Sequence, residues 1–67
     1  MKTIIELREK KGLSQQELAK MLGISNVSLH YYESNQRYVP KNIAEKIADI
    51  FEVELDDIFL PQKFSFR

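Results

Sequence analysis

Between Ser14 and Glu33 the chain reads SQQELAKMLGISNVSLHYYE, a stretch that spaces its caps, apolar residues and single glycine for two short helices joined by a tight turn. Ser14 with Glu17 three positions on is the S-x-x-E capping box, which satisfies free amides at a helix start. Leu18, Ala19 and Leu22 then recur at helical spacing, so one face is apolar. Gly23 follows where the chain needs a residue tolerant of positive φ. Ser25 offers a second N-cap, and Leu29 and Tyr32 continue the buried stripe beyond it.

The rest of the chain arranges itself around this unit. Thr3 and Glu6 form a second capping box, which predicts a first helix over about Ile4–Lys11 that stops at Gly12, with Ile4, Leu7 and Ile5 as its inner side. The second and third helices are expected over Gln15–Leu22 and Asn26–Glu33. Residues 34–39 read as a loop, in which Asn35 is able to take positive φ. Pro40 opens a fourth helix carrying Ile43, Ile47, Ile50 and Phe51 on one stripe. A short fifth helix is expected over about Leu55–Leu60, stopped by Pro61. The last six residues, Gln62–Arg67, alternate polar and apolar with a strand period, and two readings stay open for them: a β-segment packed on the domain or on a second subunit, or a frayed terminus.

Sixty-seven residues with 43 % hydrophobic content and few Gly and Pro fit one small helical domain. No cysteine is present, which excludes disulfides and cysteine zinc sites. No apolar run approaches the roughly 20 residues of a membrane span, and no signal-peptide pattern opens the chain, so a cytoplasmic protein without membrane contact is expected. His30 is a lone histidine, and the acidic run Glu52, Glu54, Asp56 and Asp57 lacks the spacing and glycine of a calcium loop, so no metal is expected. Nucleophile–base pairs, phosphate-binding loops and cofactor fingerprints are missing too, which predicts a non-enzymatic chain with no cofactor.

Charge is the informative part of the composition. Ten cations balance ten anions over the whole chain, but they are not mixed evenly. Up to Lys41 seven cations face four anions; from Asn42 onward three cations face six anions. That polarity suggests a basic half turned to phosphate and an acidic half turned elsewhere, with a solvated acidic face as the plainer alternative.

A helix of about two turns, a glycine turn and a second helix make the helix-turn-helix pattern. Over about Ile4 to Phe59 the chain resembles the Cro/phage-repressor (Xre-like) family of DNA-binding domains. The resemblance is carried by Arg8, Gly12-Leu13-Ser14-Gln15, Glu17-Leu18-Ala19, Leu22-Gly23-Ile24-Ser25, Leu29, Tyr32-Glu33, Pro40, Ile47-Ala48 and Leu55-Asp56-Asp57-Ile58 together. It implies an all-α, five-helix repressor-like domain over residues 1–61 and a tail over 62–67 that is a candidate β-strand in dimerisation. In that fold the second helix of the motif lies in the major groove with its N-terminal residues at base edges.

By resemblance Asn26, Val27 and Tyr31 take the base-reading positions, and their chemistry suits them. Asn pairs bidentately with adenine and Val packs on a thymine methyl, though partial burial of Val27 is the competing reading. Ser14 and Gln15 at a helix start are expected at phosphate, with Ser28, Asn35, Gln36, Arg37, Tyr38 and Lys41 on the other side of the groove. Arg8 and Glu33 match positions where some family members form a partly buried ion pair. The implied function is a sequence-specific regulator of transcription, a repressor, that binds a pseudopalindromic operator in double-stranded DNA as a homodimer. Ile58, Phe59, Leu60, Phe64 and Phe66 are the expected dimer contacts. An antitoxin-like module that captures a protein partner and autoregulates through DNA is the alternative.

Overall fold

The computed structural model of the protein describes residues 2–58 and 60. Within them the chain forms four α-helices: α1 (Ile4–Lys10), α2 (Gln15–Leu22), α3 (Asn26–Glu33) and α4 (Lys41–Phe51). A single 3-10 turn, Leu55–Asp57, follows. The fold is all-α with no sheet among the described residues.

Each helix starts and stops for a local reason. Thr3 Oγ1 accepts the Glu6 amide at 3.1 Å while Glu6 Oε1 accepts the Thr3 amide at 3.1 Å. Ser14 and Glu17 repeat the exchange at 3.0 and 2.8 Å. α4 begins differently: Pro40, at φ −57, precedes the helix and offers only its carbonyl, which accepts the Ala44 amide at 2.9 Å. All four helices end alike, each closing on a residue with positive φ: Gly12, Gly23, Asn35 and Glu52. In each case the next amide reaches back five residues: Leu13 to Arg8, Ile24 to Ala19, Gln36 to Tyr31 and Val53 to Ala48, at 2.9–3.1 Å. This is the Schellman closure that satisfies the last carbonyls. Three of the closing residues are apolar, and the fourth, Gln36, leaves the loop after α3 on the surface.

The caps have a pH signature. Backbone bonding to Thr3, then its hydroxyl, holds the Glu6 carboxyl below its ordinary value of 4.5. Ser14 does the same for Glu17, again through the amide first. A lowered folded-state value means that each box supports the fold above pH 4.5 and loses that support as pH falls through the folded value. An NMR acid titration is therefore expected to place both carboxyl midpoints below those of the unfolded chain. Equal midpoints would show that the boxes are not populated in solution.

The core is built from Ile4 and Leu7 of α1, Leu18, Ala19 and Leu22 of α2, Leu29 of α3, and Ile43, Ala44, Ile47 and Ala48 of α4, completed by Val39 and Ile58. Ile24, Tyr32, Ile50, Phe51, Val53, Leu55 and Leu60 pack around it.

Two expectations need correction. The fifth helix over Leu55–Leu60 reduces to the Leu55–Asp57 turn, because Ile58 adopts extended backbone (φ −98, ψ 128). There it pairs with Lys2 in a parallel bridge, and the Lys2 amide donates to the Asp57 carbonyl at 2.8 Å. That bridge takes Ile58 out of helical backbone. Ile58 is also removed from the expected dimer contacts, since its side chain is 4 % exposed within the domain's own core. Leu60 is half-buried against that core, while Phe59, Phe64, Phe66 and the whole 62–67 tail lie outside the described residues.

Candidate nucleic-acid interface

α3 is short, and its two sides differ sharply. Leu29 is its one fully buried residue and Tyr32 packs beside it at the core edge. Helical geometry then turns Asn26, Val27 and His30 outward, and all three are exposed. Val27 is 62 % exposed, so the competing reading of burial against α2 does not hold. Tyr31 is half-buried, and its ring lies under the guanidinium of Arg37, 4.5 Å from Cζ to the ring centroid.

The start of α3 is fixed by Ser25, whose Oγ accepts the Ser28 amide at 3.0 Å and donates to the Ser28 hydroxyl at 3.0 Å. Ser28 is thus drawn into the cap while its oxygen stays at the helix edge. At the end of α3 the Ser34 hydroxyl donates to the His30 carbonyl at 2.8 Å. Beyond it Asn35, Gln36, Arg37 and Tyr38 are exposed, Tyr38 at 72 %, and Lys41 stands exposed at the first position of α4. The expected base-reading and phosphate-side residues thus fall on one strip of the chain, from Asn26 along α3 and into the loop that follows, exposed except for the half-buried Ser28 and Tyr31.

The start of α2 is tied to this strip through a buried ionic knot. Arg8 Nε donates to Glu33 Oε2 at 2.7 Å and Nη2 to Oε1 at 3.4 Å. Nη1 donates to the Leu13 carbonyl at 3.0 Å. Gln15 Nε2 donates to Glu33 Oε1 at 2.8 Å. The side chain of Glu33 is 3 % exposed and that of Arg8 15 %, so the pair sits in protein rather than in water. The Arg8–Glu33 pair thereby fastens α1, the α1–α2 turn, the first residue of α2 and the last residue of α3.

Gln15 was expected at phosphate from spacing and resemblance; its engagement with Glu33 was not visible in the sequence, because the contact spans 18 residues. Its amide keeps a second N–H and an oxygen for other partners. Ser14 likewise donates its amide to Glu17 Oε1 and accepts the Glu17 amide on its Oγ, leaving the Gln15 and Gln16 amides as open donors at the start of α2 among the described residues. Among the described residues no group of three or more acidic or histidine side chains is placed to hold a metal, and no helix is long and apolar enough to cross a membrane.

A capped helix, a tight glycine turn, and a second helix with one anchored and one exposed side define a helix-turn-helix domain. The helix-turn-helix family pattern matches residues 4–58. The chain belongs to that family, in its Cro/C1-type branch, whose members are DNA-binding regulators rather than enzymes. Similar proteins carry matching names. A protein of Archaeoglobus fulgidus named as an HTH-type transcriptional regulator is 34 % identical over 57 residues, which is 85 % of this chain and 81 % of that one. Relatives from Sulfolobus acidocaldarius (41 % over 54 residues, 81 % of this chain) and Pyrococcus furiosus (44 % over 50 residues, 75 % of this chain) are named as HTH-type regulatory proteins. The matched segment covers only 18 % and 16 % of those two proteins, so this chain resembles one part of much longer molecules there.

Proposed function

We propose that the protein is a sequence-specific regulator of transcription, acting as a repressor, that binds a pseudopalindromic operator as a homodimer with α3 in the major groove. The observation that carries this reading is the row Asn26, Val27 and Tyr31, the first two exposed and Tyr31 half-buried, on a helix whose other side is fixed by Leu29 and Glu33. Asn26 suits adenine and Val27 a thymine methyl, which favours half-sites containing A·T pairs. Ser14, Gln15, Ser28, Asn35, Gln36, Arg37, Tyr38 and Lys41 border that row and would hold the phosphates that set its register. One α3 reads too few base pairs for strong discrimination, and two copies would address half-sites about 34 Å apart. Regulation of this kind suits a cytoplasmic protein that needs no cofactor.

Selection of bound fragments from random duplex DNA tests the reading, since it returns both the half-site and the spacing. Enrichment of paired half-sites one helical turn apart is the expected result; recovery of unenriched DNA would sink it. Asn26→Ala should then lose about 1–3 kcal/mol in specific binding and relax one base position. An unchanged operator preference would remove Asn26 from the base-reading set.

In the same reading residues 1–61 form the DNA-binding unit and the tail contributes to pairing of two copies. Deleting 62–67 is expected to shift the protein toward monomer in analytical ultracentrifugation. A dimer of undiminished strength would move the contact to the α4 end of the domain.

A further inference from the structure

We propose that Arg37 is a specificity-determining positioning residue: it sets the ring of Tyr31 at the base-reading face, rather than serving only as a charge for phosphate. This inference rests on the DNA-binding reading above and deepens it.

The geometry starts in the backbone. Asn35 takes φ +61, and the next amide, Gln36 N, returns to the Tyr31 carbonyl at 2.9 Å. That turn folds the loop back along α3 and delivers the residue after it, Arg37, to the face of the Tyr31 ring. The guanidinium carbon lies 4.5 Å from the ring centroid, within cation–π range. The His30 ring stands beside Tyr31 as well, 5.9 Å between centroids and tilted 57°. The Tyr31 hydroxyl makes no hydrogen bond among the described residues, so ring contacts are what orient this side chain. A guanidinium that stacks by its flat face keeps its N–H edge outward, and the same residue can still meet a phosphate.

Lysine separates the two roles. It keeps the positive charge for phosphate but lacks the planar face that matches the ring. An exposed cation–π contact corresponds to about a two- to fivefold effect. Arg37→Lys is therefore expected to lose about two- to fivefold of the discrimination at the base pair that Tyr31→Ala relaxes, with the salt dependence of binding unchanged. In the Tyr31→Ala background the same Arg37→Lys change should alter discrimination no further. In the DNA-free protein, Arg37 side-chain protons should be shifted upfield by the ring, and Tyr31→Leu should abolish that shift.

Because Arg37 is exposed, Arg37→Lys does not threaten the fold. If the unaltered protein selects operators and Arg37→Lys leaves the preference intact, this inference falls alone and Arg37 is a phosphate contact only. If the unaltered protein selects no sequence, the DNA-reading function falls and takes this inference with it. Unshifted Arg37 protons would overturn the stack directly.

Discussion

Leu29→Ala is expected to lower the stability of the domain by about 3–5 kcal/mol, the upper part of the range for truncating a buried leucine. Leu29 is 0 % exposed and is the only fully buried residue of α3, with the half-buried Tyr32 beside it at the core edge. Small domains have about 0.05–0.15 kcal/mol of stability per residue, and such a loss removes a large share of the total. In a thermal melt each kcal/mol corresponds to about 4–8 °C in a chain of this size, so the midpoint should fall by more than about 12 °C. Leu29→Met, which nearly conserves volume, should cost less than about 1.5 kcal/mol. Measured at a temperature where it is still folded, the alanine variant should keep its operator preference, because the row Asn26, Val27 and Tyr31 is untouched. A loss below about 1 kcal/mol, short of what even modest cavities cost, would show that α3 is held mainly by its ends.

The caps explain why so much of this fold was legible in the sequence. α2 and α3 run from Gln15 to Leu22 and from Asn26 to Glu33, as the spacing predicts, because Ser14, Glu17, Gly23 and Ser25 each act within a few residues of where they stand. Features that depend on distant partners were not legible. Val39 is 1 % exposed, yet a lone apolar residue before a proline carries no periodicity to mark it as core. Glu52 ends α4 at φ +54, a role that sequence assigns to glycine or asparagine. The expected fifth helix failed because Lys2, more than fifty residues away, draws Ile58 into extended backbone. The candidate interface follows the same rule. Exposure of Asn26 and Val27 comes from helical phase alone, whereas the Arg37–Tyr31 stack depends on the turn at Asn35, and the Gln15–Glu33 bond on how α2 meets α3.

Glu33→Ala is the change that should most disturb the register of those two helices. It removes the acceptor of Arg8 Nε and Nη2 and of Gln15 Nε2 in one step. Breaking a buried pair by deleting one partner costs about 3–5 kcal/mol; with Arg8 still 15 % exposed, water relieves part of that, and about 2–3 kcal/mol is expected. Replacing both charges, as Arg8→Met with Glu33→Leu, should recover most of the loss, because neither leaves an unpaired charge behind. Urea denaturation of the single and double variants measures both. The recovered double variant then isolates what the knot does beyond stability. Gln15 will have lost its acceptor at the start of α2, and the tie between α1 and the end of α3 will be apolar and less directional. If the knot sets how α3 is presented, the double variant should bind the selected operator more weakly than its stability predicts. If Glu33→Ala instead costs no more than an exposed pair, about 0–1 kcal/mol, the link between helices is carried by Leu29 and the core alone.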